Sequence, residues 1–260
     1  MNDDLLRIDD LSVSYGDLIA VRSLSMSVRK GERFCLVGES GSGKTSVAMA
    51  VARLLPDSAK IDGQILIGNQ NVHELENRRL QELRRKSISV IFQDATGSLI
   101  PGSTIEKQLF RVIRHRTGIT AKAEINQLTR EHLTRVGLTD HHRILHSYPS
   151  QLSGGMCQRI MIAMALCVKP SLVIADEPTS ALDVITQQKI LELLLSLQND
   201  LDFALLFITH DLRIAAHYSH TIGVMQNGIL VESGSVNGFF SEPKNSYSHQ
   251  LVSSAKMLSV

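Results

Sequence analysis

Residues 5–31 alternate apolar and polar positions in two runs, LLRIDDLSVSYG and AVRSLSMSVRKGE, interrupted near Gly16 and Gly31. A period of two predicts antiparallel strands with turns at those glycines. In RFCLVG the alternation stops and Phe34, Cys35, Leu36 and Val37 stand in a row, the pattern of a strand buried on both faces. A glycine-rich loop follows, then a helical pattern over about 44–55, ended by Pro56. GQILIG and SISVIFQ predict two more strands. From about 95 to 149 the pattern is helical, with no comparable buried strand, and predicts an inserted helical subdomain.

Apolar runs return in SLVIADE and FALLFITH, separated by a helical segment over 184–200. That is the alternation of a parallel βαβ sheet. TIGVMQNGILVESG predicts a hairpin turning at Asn227 and Gly228, and the tail carries two short helical patterns. The expected fold class is α/β: a mostly parallel core, an antiparallel β subdomain near the start and a helical insertion, all in one domain over 1–260, with a short C-terminal segment over 235–260.

Composition narrows the function classes. The chain has 260 residues, 43% hydrophobic and 20% charged, with 27 Lys and Arg against 26 Asp and Glu. A formal charge of +1 argues against a polyanion such as nucleic acid as main partner. Cys35, Cys157 and Cys167 form no C-x-x-C pair, which fits reduced thiols in a cytosol-like compartment. No apolar run approaches the ~18 residues that a membrane span needs, and the acidic start MNDDLLRIDD predicts no classical export signal.

GESGSGKT, residues 38–45, fits G-x-x-x-x-G-K-[ST] between an expected strand and an expected helix. Gly38, Glu39, Ser40, Gly41, Ser42, Gly43, Lys44, Thr45 and Ser46 are candidate nucleotide-binding residues, with the backbone N–H groups of Ser40 to Ser46 expected to wrap phosphates at a helix N-terminus. Lys44 would neutralise β- and γ-phosphate charge and the Thr45 hydroxyl would ligate Mg²⁺. LVIADE ends an expected buried strand with two carboxylates: Asp176 for Mg²⁺ and Glu177 to orient or deprotonate water. Gln93 and His210 end two further strands. The Gln93 amide would ligate Mg²⁺ or the attacking water, and His210 would contact a γ-phosphate. In QLSGGMCQRIMIAMAL, Ser153 would cap a nearly all-apolar helix running to about 168, with the N–H groups of Gly154 and Gly155 forming a second anion site.

The phosphate loop, Gln93, LSGGM at 152–156, LVIADEP, SALD at 180–183 and His210 occur in the order found in ABC transporter nucleotide-binding subunits, and the chain resembles that family over almost its whole length. The resemblance implies a P-loop (ABC ATPase) fold using ATP and Mg²⁺, in a head-to-tail dimer with an identical or paralogous ATP-binding subunit. Ser153 and Gly155 then reach the ATP held by the partner's phosphate loop, and Tyr15 matches the aromatic that stacks on adenine. Two membrane-spanning permease subunits and an extracytoplasmic solute-binding protein are further implied partners. The implied location is peripheral, on the cytoplasmic face of the inner membrane.

FQDATGSLIP and VIADEPTSALDV look most like the peptide and nickel importer subfamily, with nickel, metal chelates or small peptides as implied cargo. Departures are Met156, where most members have Gln, Cys157, where Arg is frequent, and Asn245 and Ser246, where a His-Pro pair is usual. The tail lacks the cysteine cluster of some relatives, so no iron–sulfur centre is expected. His141, His142 and His146 are read as a solvated face rather than a metal site, and RRLQELRRK as a charged helix face. A soluble ABC-type ATPase acting on ribosomes or DNA is the rival reading. Such proteins usually carry two cassettes or a coiled-coil insertion, and neither is visible. No N-K-x-D string supports a GTPase.

Overall fold

The computed structural model describes residues 4–257, without the side chains of 256 and 257; the first three residues of the acidic start lie outside it. The chain divides into two compact units, one formed by residues up to Leu80 together with those from Asp202 onward, the other by residues 81–201.

In the first unit the two alternating runs become β1 (Asp4–Tyr15) and β2 (Leu18–Arg29), paired antiparallel from Asp4 with Arg29 to Tyr15 with Leu18. Leu6, Ile8, Leu11 and Val13 of β1 are buried, and the register shifts between Ile8 and Leu11, where Asp10 adopts a φ of 52°. β3 (Arg33–Val37) is buried from Phe34 on, and α1 (Lys44–Val51) follows the glycine loop. β4 (Ala59–Ile67) and β5 (Gln70–Asn71) complete a four-stranded sheet in the order β2, β1, β4, β5. α1 is shorter than its pattern predicts. Arg53 takes a left-handed φ of 51°, and its guanidinium donates to the carbonyls of Val72 (3.2 Å) and Leu75 (2.7 Å). The last helical turn gives way to that distant contact.

α2 (Asn77–Lys86) carries the chain into the second unit, where β6 (Ile88–Ile91) is followed by α3 (Ala95–Ser98), α4 (Ile105–Thr117), α5 (Lys122–Arg135) and α6 (His141–His146). A short 3-10 turn (Pro149–Gln151) leads to α7 (Gly154–Leu166), β7 (Leu172–Asp176) and α8 (Val184–Leu201). β6 and β7 pair in parallel from Ile88 with Leu172 to Ile91 with Ala175. Arg116 of α4 donates to the carbonyls of Arg84, Arg85 and Ile88 and to Ser89 Oγ, and Ser89 Oγ donates to the Ala165 carbonyl at 2.6 Å. One guanidinium thus ties α4 to α2 and β6. α7 stops two residues before its expected end, with Lys169 at a φ of 49°.

From Asp202 the chain completes the first unit with β8 (Ala204–Thr209), α9 (Leu212–Tyr218), β9 (Thr221–Gln226), β10 (Ile229–Ser235), α10 (Val236–Ser241) and α11 (Ser246–Met257). β8 and β9 flank β3 on either side, both parallel to it, which accounts for the unbroken apolar run of β3. β9 and β10 form the expected antiparallel hairpin, with Asn227 (φ 49°) and Gly228 (φ 82°) in the left-handed conformation that a two-residue turn requires.

Candidate functional site

β3 delivers the chain into the loop 38–43, and α1 begins at Lys44. The loop passes so close to its neighbours that side chains are excluded. A Cβ at Gly38 would lie 2.2 Å from the Met225 carbonyl oxygen, and one at Gly43, where φ is 102°, 2.2 Å from that of Ala20. Lys44 is folded back over the loop and is only 5% exposed. Its ammonium donates to the carbonyls of Gly38 (2.8 Å) and Glu39 (2.7 Å) and to Ser42 Oγ (3.3 Å). Glu39, Ser40, Gly41 and Thr45 are exposed. The Tyr15 hydroxyl reaches Ser46 Oγ at 3.2 Å, which places that ring beside the first turn of α1. A buried cation and the positive end of a helix converge on this loop, an arrangement that favours an anion.

In the second unit Asp176 ends β7 and is 5% exposed, and Glu177 follows at a φ of 45°. Gln93, which follows β6, donates through Nε2 to Glu177 Oε2 at 3.4 Å. Two residues picked out separately from the sequence therefore meet. Ser153 is the N-cap of α7, its Oγ accepting from the Met156 N–H at 3.3 Å as expected. Gly154 and Gly155 open the helix. A Cβ at Gly155 would stand 2.6 Å from Thr186 Cγ2, so this turn packs tightly against the start of α8. Cys157 is fully buried, with Sγ 3.7 Å from the Pro149 carbonyl, a space suited to a small thiol; burial pushes that thiol up.

His210 follows β8 and lines a shallow cleft with Asp211, Leu212, Arg213, Leu251, Ser254 and Ala255. Asp211 was not anticipated. It caps α9 by accepting from the Arg213 N–H at 2.9 Å, and it pairs with the Arg213 guanidinium at 2.8 Å. Burial pulls its carboxyl up, but the Arg213 hydrogen bonds outweigh that and leave it below its ordinary value. An Asp directly before an apolar helical run is a capping signal that the sequence does carry. The rings of His142 and His146 lie 4.5 Å apart, and His141 Nε2 is 2.9 Å from Thr134 Oγ1. Among the described residues no group of three or more His, Cys, Asp or Glu is arranged to hold a metal.

A family model described as ABC transporter matches residues 21–180. The chain belongs to the ABC transporter family. Its relatives include the uncharacterized ABC transporter ATP-binding protein YejF of Escherichia coli, 40% identical over 98% of this chain and 49% of the relative. The oligopeptide transport ATP-binding protein OppD of Bacillus subtilis is 38% identical over 98% of this chain and 72% of its own length. The metal-staphylopine import system ATP-binding protein CntD of Staphylococcus aureus is 35% identical over 98% and 94%. The chain spans about half the length of the YejF proteins that it matches. Among solved ABC structures, the ATP-binding cassette MJ0796, a dimer in a post-hydrolysis state bound to ADP and Pi, is 27% identical with a TM-score of 0.77, covering 89% of this chain and 98% of that one. The α/β P-loop fold of the ABC ATPases is thereby established for this chain.

Proposed function

We propose that this chain is the ATP-binding and ATP-hydrolysing subunit of an importer, with peptides or metal chelates as cargo. The observation that carries the reading is the Lys44 ammonium, buried over a loop of backbone donors at the start of α1. The relatives named for oligopeptide and metal-staphylopine import support the cargo class, and the dimeric cassette supports a pair of ATP-binding subunits, head-to-tail in this proposal. In that pair Ser153 and Gly155 of one copy serve the nucleotide held by the other, identical or paralogous. Two permease subunits, a solute-binding protein and a peripheral position on the inner face of the membrane complete the proposal.

In this reading the N–H groups of residues 38–46 hold the phosphates, and Lys44 exchanges loop carbonyls for β- and γ-phosphate oxygens. Tyr15, beside the first turn of α1, stacks on the base. Thr45 offers a hydroxyl, Gln93 an amide oxygen and Asp176 a carboxylate, each an oxygen donor of the kind that Mg²⁺ takes. When bound there, the cation neutralises phosphate charge. Glu177 takes the proton of the attacking water, oriented by the Gln93 amide that donates to it, and His210 contacts the γ-phosphate.

Two variants test the assignment. Lys44→Ala is expected to weaken ATP binding by about tenfold or more, measured by nucleotide titration of the purified chain. Glu177→Gln is expected to bind ATP as the parent does and to lower the hydrolysis rate by at least about 100-fold. Wild-type hydrolysis by Glu177→Gln removes the general-base role, and wild-type affinity in Lys44→Ala removes the loop.

A further inference from the structure

The hairpin between β9 and β10 turns against the loop at 38–43. At that turn the Gly228 N–H donates to the Ser42 carbonyl at 3.1 Å, and the Gly228 carbonyl accepts from the Arg22 N–H of β2 at 2.8 Å. Gly228 thus gives one backbone bond to the loop and takes one from the strand beside it. The turn itself is closed by the pairing of Gln226 with Ile229 and needs no bond from the Gly228 N–H. A Cβ at Gly228, where φ is 82°, would stand 2.9 Å from the Ala20 carbonyl oxygen, the same oxygen that leaves no room for one at Gly43. Loop, β2 and hairpin meet at this crowded point.

Ser42 carries the contact into the loop. A peptide is planar and trans, so its carbonyl and the N–H that follows point in opposite directions. With the Ser42 carbonyl turned to Gly228, the Gly43 N–H is aimed away from the hairpin. Ser42 is only 5% exposed; its own N–H donates to the Glu39 carbonyl at 3.2 Å, and its Oγ accepts from the Lys44 ammonium at 3.3 Å. A shift of this one residue disturbs two phosphate donors at once, the Gly43 N–H and Lys44. We propose that Gly228 is a positioning residue for the nucleotide: its N–H holds the Ser42–Gly43 peptide in the orientation that presents the Gly43 N–H to a phosphate. It rests on the reading of residues 38–46 as the ATP cradle, and it extends that site to a hairpin far along the chain.

The test uses the purified full chain, MgADP titration, steady-state ATP hydrolysis and thermal unfolding without nucleotide. Gly228→Ala and Gly228→Asn both bring the Cβ that pushes the turn off Ala20, and Asn takes a left-handed φ at lower cost than Ala. Asn227→Ala strains the neighbouring position, at a φ of 49°, and leaves the Gly228 N–H in place. Both Gly228 variants are expected to raise the MgADP Kd and the ATP KM about threefold to tenfold with kcat within about twofold, while Asn227→Ala lowers the thermal midpoint and keeps Kd within about twofold. A Gly228 variant that binds as the parent does overturns the proposal, and so does a loss of affinity that follows the midpoint alike in all three variants. Wild-type amide hydrogen exchange gives a measure that needs no variant. By linkage, a bond that favours the nucleotide is strengthened by it, so saturating MgADP should slow exchange at Gly228 at least about threefold more than at Ser233 and Gly234 of β10; equal slowing overturns the proposal. Lys44→Ala measured in parallel separates the two layers. If it binds MgADP normally, the cradle and the role of Gly228 both fall; if it loses affinity while the Gly228 variants do not, only the role of Gly228 falls.

Discussion

Lys44, Asp176 and Glu177 stand out in the sequence because the proposed phosphate and metal chemistry asks for those side chains at fixed spacing. Their settings are not. Glu177 occupies a left-handed φ of 45°, a conformation that costs a non-glycine residue about 1 kcal/mol or more. Glu177→Gly should therefore abolish hydrolysis while leaving the thermal midpoint unchanged or higher, whereas Glu177→Val should lower it; parallel activity and unfolding measurements check both. The cysteines give a second prediction at this scale. Burial pushes the Cys35 thiol up to about 12 and the Cys167 thiol up to about 11, and it raises Cys157 as well. At about pH 8 a disulfide reagent should label none of them in the native protein and all three in denaturant, read by released chromophore.

At the scale of elements, strands buried on both faces and the hairpin turn could be read directly, since apolar runs and Asn-Gly are local signals. Helix ends were less legible. α1 stops early because Arg53 turns to carbonyls at Val72 and Leu75, and nothing in the pattern over 44–55 reports that partner. The cap on α11 is equally remote. Burial pulls the Glu232 carboxyl up, but the hydrogen bonds it accepts, among them those from the Lys244 and Asn245 N–H groups, outweigh that and hold it below its ordinary value. A carboxyl lowered in the folded state stabilises above its unfolded value and loses that contribution as pH falls through the folded one. Glu232→Gln should thus lower the thermal midpoint near neutrality, and the gap from wild type should close below about pH 4.

For the whole molecule, the change from strand to helix pattern at about residue 95 was legible, and so was the family's motif order. Which strands pair was not. β3 finds its neighbours in β8 and β9, beyond the whole of the second unit, and no local pattern specifies partners at that distance. The expected exchange of signature motifs between copies belongs to this scale too. Ser153→Arg should abolish hydrolysis yet bind ATP as a monomer nearly as well as wild type. If the chain pairs with itself, mixing it with Lys44→Ala should restore part of the hydrolysis through the one composite site that keeps both motifs, measured against each variant alone.

The placement of β3 also dictates an order of events during synthesis. When synthesis has reached residue 200, the strand that leads into the 38–43 loop has neither flanking strand, and Phe34, Cys35 and Leu36 lack both of their sheet neighbours. The nascent chain must carry that apolar strand, with both edges open, until the segment 204–226 emerges. Fragments ending before β8 should accordingly be captured by chaperones or aggregate. The loop at 38–43 is thus translated long before the strands that enclose β3.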